Sequence, residues 1–128
     1  MKPDARPNGF FESFRHALEG IRAAARGRNF RIQLAAGVAA VAAGALLRIS
    51  SGEWVAVATC IGLVLGGECA NTALESAVDL ASPARHPLAK RAKDAAAGAV
   101  LLFSLAAAVV GAIIFLPRLV ALCRLFCS

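Results

Sequence analysis

Tyrosine is absent from this 128-residue chain, tryptophan and methionine occur once each, and aromatic residues make up only 6%. Acidic residues are scarce beside basic ones, 8 against 14, which leaves a formal net charge of +6. The sequence contains no Gly-rich P-loop and no G-x-G-x-x-G, so the soluble nucleotide-binding folds built on those turns are excluded. Its cysteines are Cys60, Cys69, Cys123 and Cys127. The C-terminal C-x-x-x-C has no second close Cys pair and no neighbouring His, which argues against a zinc site. Cys60 and Cys69 lie in apolar sequence and read as small hydrophobes. The first 31 residues are polar and basic. They lack the apolar core and small-residue cleavage site of a secretory signal peptide, so none is expected.

What the chain has in excess is aliphatic surface. Hydrophobic residues make up 59% of it and the mean hydropathy is +0.67, whereas soluble domains are about 45–50% apolar. A chain this short has too little interior to hide that surface from water. The positive charge is segregated from the apolar runs. An anionic membrane surface or a phosphate ligand is therefore the expected partner, not a nucleic acid.

The chain reads as a single domain over residues 1–128. Residues 1–8 form a loose, Pro-bearing terminus. From about Gly9 to Arg28, Phe10, Phe14, Ala17, Leu18, Ile21 and Ala25 recur at helical spacing, with Arg15, Glu19, Arg22 and Arg26 on the other side. This predicts an amphipathic helix lying in the membrane interface. Three apolar segments follow, at about 30–49, 53–80 and 94–117. A bilayer core requires about 20 helical residues. The first segment is completed by Arg31 and Arg48 snorkelling at its ends, and the second reaches full length only if the polar stretch Glu68–Asp79 continues its helix. Ser50, Ser51 and Gly52 supply turn chemistry between the first two spans, and Gly62 and Gly66 suit close helix packing. Trp54, Arg118 and Arg124 read as interfacial anchors, and Gln33 as a polar residue able to bond another helix. A loop over Ala81–Lys93 re-enters a helix near Leu88. Lys2, Arg6, Arg15, Arg22, Arg26, Arg28 and Arg31 precede the first span, and Arg85, Lys90, Arg91 and Lys93 precede the third. Only Arg48, Arg118 and Arg124 fall on the other side, which predicts a cytoplasmic N-terminus. The expected fold is an all-α membrane protein with three transmembrane helices and an N-terminal surface helix.

The chemistry concentrates in Gly66–Leu80, GGECANTALESAVDL. At about 100° per helical residue, Asn71, Glu75 and Asp79 lie at about −60°, −20° and +20° from Glu68. Three carboxylates and an amide thus share one face. Acidic groups within a span are costly and need cations or a function. No Lys or Arg lies in that span, so the compensating charge must come from Lys90, Arg91 and Lys93 or from a bound metal. Acidic oxygens beside an amide suit a hard cation, and Mg²⁺ is the usual one where phosphates are present. Downstream, Lys90, Lys93 and Asp94 recur at helical spacing, with His86 in the preceding loop. Together these are the parts of a phosphoryl-transfer site. The plainer alternative is a structural ion network between helices.

Glu68-Cys-Ala-Asn71-Thr72-Ala-Leu-Glu75-Ser-Ala-Val-Asp79, with His86-Pro-Leu-Ala-Lys90-Arg-Ala-Lys93-Asp94-Ala-Ala-Ala-Gly98, resembles the bacterial diacylglycerol kinase family of small integral membrane kinases, from about Phe10 to Arg118. The wording around His86 and at Phe115-Leu116-Pro117 is similar to its undecaprenol kinase branch. The resemblance implies a homotrimer in the bacterial inner (cytoplasmic) membrane. Its active sites would lie between protomers and phosphorylate a lipid alcohol, undecaprenol or diacylglycerol, with ATP and Mg²⁺. It implies Glu68 as the base and a substrate contact, and Glu75 as a metal ligand. Asn71, Asp79, His86, Lys93 and Asp94 would contact the nucleotide or its metal. Among the arginines near the first span, Arg31 is the one expected to touch the lipid substrate. The sequence departs from the family where Arg26-Gly27-Arg28-Asn29-Phe30 carries Gly27 in place of a metal-binding Glu, and Glu19 is a remote substitute. That departure keeps open a non-catalytic reading, a helix-packing or lipid-binding protein on the same scaffold.

Overall fold

The computed structural model describes residues 9–126. The Pro-bearing first eight residues, with Lys2 and Arg6, and Cys127 lie outside the described residues. Four α-helices follow one another: α1 (Phe10–Ala24), α2 (Arg28–Leu46), α3 (Ser51–Ala81) and α4 (Pro87–Phe126). The last three are long and apolar enough to cross a membrane. This is an all-helical membrane protein, as the charge-free runs imply.

The α2–α3 turn is built differently from the expected one. Ser51 and Gly52 belong to α3, and the chain reverses at Arg48, which has φ 50°. Arg48 N–H bonds Ala45 O at 3.4 Å and Ile49 N–H bonds Gly44 O at 3.1 Å. These are the paired bonds that end a helix on a left-handed residue. Ile49 then buries against Gly44, where a Cβ would stand 3.0 Å from Ile49 Cδ1 and from Trp54 Cη2. Trp54 is therefore packed on α2, a contact the reading as an interfacial anchor did not contain. Ser50 caps α3: its N–H donates to Glu53 Oε2 at 2.7 Å, and its hydroxyl accepts from Glu53 N–H at 3.4 Å. Two orphan donors of the helix start are satisfied in this way.

α3 and α4 form the main packed pair. A Cβ on Gly67 would lie 2.8 Å from Phe103 Cδ2, so only glycine lets the two helices approach this closely beside Glu68. Gly62 and Gly66, expected at a packing contact, face open space. At the other end of the pair, Arg118 Nη1 and Nη2 donate to Glu53 Oε1 and Oε2, both at 2.8 Å. Nη1 also donates to Ile114 O at 2.7 Å. Arg118 thus fastens α4 to the start of α3 instead of standing free as an interfacial anchor. The helix continues through Pro117 to Phe126.

Candidate functional site

The acidic row lies on α3, where the helix approaches α4 and the turn between them. Glu68 is 6% exposed and Asn71 9%, the two buried polar residues among those described. Glu75 and Asp79 are exposed. The row therefore grades from a buried carboxylate to a solvent-facing one over eleven residues, about 16 Å of helix. Asn71 Nδ2 donates to Glu75 Oε1 at 3.2 Å, tying adjacent members together. Asn71 Oδ1 is buried and has no partner.

The compensating cation for the far end comes from α4. Lys93 Nζ meets Asp79 Oδ1 at 2.5 Å, bridging the helices across the Ser82–His86 turn. Lys90 meets Asp94 Oδ2 at 2.5 Å on one face of α4. The ring of His86 accepts Leu88 N–H at Nδ1, 3.2 Å away. That bond leaves Nε2 as the ring donor of the neutral imidazole. Asp79, Arg85, His86, Lys90, Lys93 and Asp94 line one cleft of about 690 Å³, within the size range of small-molecule sites. Pro83 lies in the turn and Pro87 opens α4 at its first position, where a missing N–H costs the helix nothing.

Glu68, Asn71 and Glu75 do not line the cleft; they continue its acidic edge along α3. Gln33 of α2 lies against the Glu68 carboxylate, and its Oε1 is buried without a partner. Two residues along a helix rotate a side chain by about 200°. Arg31, which is exposed, therefore does not share the face that Gln33 turns to Glu68. The single polar residue in an apolar run was the signal for this contact. Glu19 is engaged on its own helix by Arg15 at 3.8 Å and His16 at 3.3 Å.

Among the described residues, no three His, Cys, Asp or Glu side chains converge on one point. Mg²⁺ needs no such cluster, because it binds through one or two carboxylates together with waters and phosphate oxygens. Glu75, with the unpartnered Asn71 oxygen beside it, fits that requirement.

The fold and site define a helical membrane protein whose packed helix pair carries an acidic row up to a cleft lined by cations and carboxylates. Residues 15–115 match the prokaryotic diacylglycerol kinase family. Over 113 residues the chain is 47% identical to an undecaprenol kinase of Bacillus subtilis (strain 168), covering 88% of this chain and 92% of that protein. It is 48% identical over 117 residues to a diacylglycerol kinase of Synechocystis, covering 86% of this chain and 64% of that protein. Over 81 residues it is 41% identical to a diacylglycerol kinase of Pseudomonas aeruginosa, covering 62% of this chain and 65% of that protein. The chain belongs to the prokaryotic diacylglycerol kinase family and is a lipid kinase.

Proposed function

We propose that the protein transfers the γ-phosphoryl group of ATP to the hydroxyl of a membrane lipid alcohol, undecaprenol or diacylglycerol, at the cytoplasmic face of the bacterial inner membrane. The observation that carries this reading is the graded row on α3, with buried Glu68 at its membrane end and Asp79 at the cationic cleft. A lipid hydroxyl arriving from the bilayer meets Glu68 first. The carboxylate takes the hydroxyl proton as the alkoxide oxygen bonds to the γ-phosphorus. The β–γ bridging bond breaks, ADP leaves with its electron pair, and the proton later passes from Glu68 to water. Catalysis in such transfers is mainly positioning and charge stabilisation.

Lys93 and the His86 Nε2–H supply donors to phosphate oxygens in the cleft, while Asn71, Asp79 and Asp94 orient the nucleotide. Glu75 would hold Mg²⁺, aided by Asn71 Oδ1, and the ion would supply positive charge against that of the phosphates. Arg31 attracts the lipid head region. α1, whose Phe10, Phe14, Leu18 and Ile21 are all exposed, lies as an amphipathic helix in the interface. The cationic N-terminal segment and the cleft turn then share the cytoplasmic side. The reading includes a homotrimer with sites between protomers, the assembly that the sequence resemblance implies.

The test is phosphate transfer from radiolabelled ATP in detergent micelles offering undecaprenol and diacylglycerol, with and without Mg²⁺. Mg²⁺-dependent labelling of either lipid supports the reading, and labelling of neither refutes it. Gly27 bears on the metal. A Cβ there would stand 3.1 Å from Ala24 O, a contact that a small shift at the start of α2 relieves. Gly27→Glu is therefore expected to fold and to tighten apparent Mg²⁺ affinity roughly tenfold. An unchanged Mg²⁺ titration would place the ion elsewhere.

A further inference from the structure

Lys90 lines the cationic cleft together with Lys93. It stands three residues before Lys93 on α4, on the same side of the helix and about 4.5 Å farther along it from the acidic row. The opening hydrogen bond of α4 fixes its backbone: Lys90 N–H donates to His86 O at 3.1 Å. Its ammonium meets Asp94 Oδ2 at 2.5 Å. A lysine ammonium has three donors, so that contact leaves two for the cleft. Arg91, the adjacent cation, does not line the cleft.

The placement of charge at this end of α4 calls for an anion. A helix start carries partial positive charge and favours acidic residues. The first turn of α4 has none, and Lys90, Arg91 and Lys93 crowd its beginning instead. Asp94 offsets only part of that charge, and it does so from the far side of the lysines. In the cleft as a whole, Arg85, Lys90 and Lys93 outnumber Asp79 and Asp94. The cations are also ordered. Lys93 pairs with Asp79, where the acidic row ends, and Lys90 lies beyond it toward the turn. A chain of phosphates whose first member points to Glu68 passes Lys93 before it reaches Lys90.

Resting on the lipid-kinase reading, we infer that Lys90 binds the phosphates that stay with the nucleotide, while Lys93 serves the phosphoryl group that is transferred. Asp94 is the arm that holds the Lys90 ammonium at the cleft. Lys90 therefore supports the triphosphate and the diphosphate equally, and Lys93 favours the triphosphate.

The test is equilibrium dialysis of radiolabelled ADP and ATP against the full chain in detergent micelles, without a lipid alcohol. Lys90→Met is expected to weaken both nucleotides by a similar factor, about tenfold, as for the loss of one charge-assisted bond. Lys93→Met should weaken ATP more than ADP. Arg91→Met removes the same charge outside the cleft and should leave ADP binding unchanged. Lys90→Arg, which keeps the charge and the partner, should retain part of the affinity. If Lys90 only neutralised Asp94, its removal would cost nothing once Asp94 is neutral. Lys90→Met in an Asp94→Asn background is expected to weaken ADP roughly tenfold further. No ADP binding by the wild type, unaltered binding in Lys90→Met, an equal loss in Arg91→Met, or no further loss in the Asp94→Asn background would overturn the inference. Lys90-dependent ADP binding in a protein that phosphorylates neither undecaprenol nor diacylglycerol would leave the phosphate site standing and sink the kinase reading instead.

Discussion

Glu68→Gln protein is expected to insert and assemble like the wild type and to lose lipid phosphorylation by about 10²–10⁴-fold, the usual contribution of a positioned general base. Glutamine keeps the shape and polarity of the side chain, so its contact with Gln33 and its packing beside Gly67 survive. What it cannot do is accept the hydroxyl proton. The loss should appear in kcat with little change in KM for either substrate, because the proton moves only as the reaction proceeds. Rates are best compared in the same micelles used to confirm assembly by size. Turnover near that of the wild type would remove Glu68 from the role of base.

Lys93→Met should produce the second largest effect, a fall of about 10²–10³-fold in kcat/KM for ATP, comparable with the removal of one preorganised donor to developing charge. Lys93 has two tasks: it neutralises Asp79 across the turn at 2.5 Å and it presents a cation to the cleft. A purely structural role would be reproduced by the paired change Asp79→Asn with Lys93→Met, which leaves no unbalanced charge. The double variant is instead expected to fold normally and to be more impaired toward ATP than Asp79→Asn alone, the single change that measures what the loss of Asp79 itself costs. A double variant no worse toward ATP than Asp79→Asn would assign Lys93 to the fold alone. Lys93→Arg should retain part of the activity, since the charge persists while its shape changes.

Different parts of the molecule were legible in the sequence for different reasons. Three long helices follow from apolar runs near bilayer length, the second of them only because the acidic stretch Glu68–Asp79 continues its helix, and one sequence suffices to see them. The need of the acidic row for an outside cation follows from charge balance along α3, and Lys93 is the residue that reaches Asp79. The ends and contacts of the helices were less accessible. A reader of residues assigns the α2–α3 turn to Gly52, because a non-glycine residue such as Arg48 in the left-handed region is uncommon. The pairing of Glu53 with Arg118 joins residues 65 apart, a register that depends on how far α3 and α4 slide past each other. Glycine spacing likewise points to Gly62 and Gly66, while the close approach falls at Gly67, because the contact face is fixed by the neighbouring helix and by Phe103. Gln33 is intermediate. Its polarity marks it in the sequence, but only the packing of α2 on α3 brings it to Glu68.

The separate duties assigned along the row are tested most directly by a Mg²⁺ titration of lipid phosphorylation in wild type, Glu75→Gln and Glu68→Gln. Glu75→Gln is expected to shift the titration to roughly tenfold higher Mg²⁺ and to recover activity as the ion is raised. Glu68→Gln should lower the plateau without moving the midpoint. A Glu75→Gln enzyme with the Mg²⁺ dependence of the wild type, or a Glu68→Gln enzyme restored by excess Mg²⁺, would contradict this division of labour on α3.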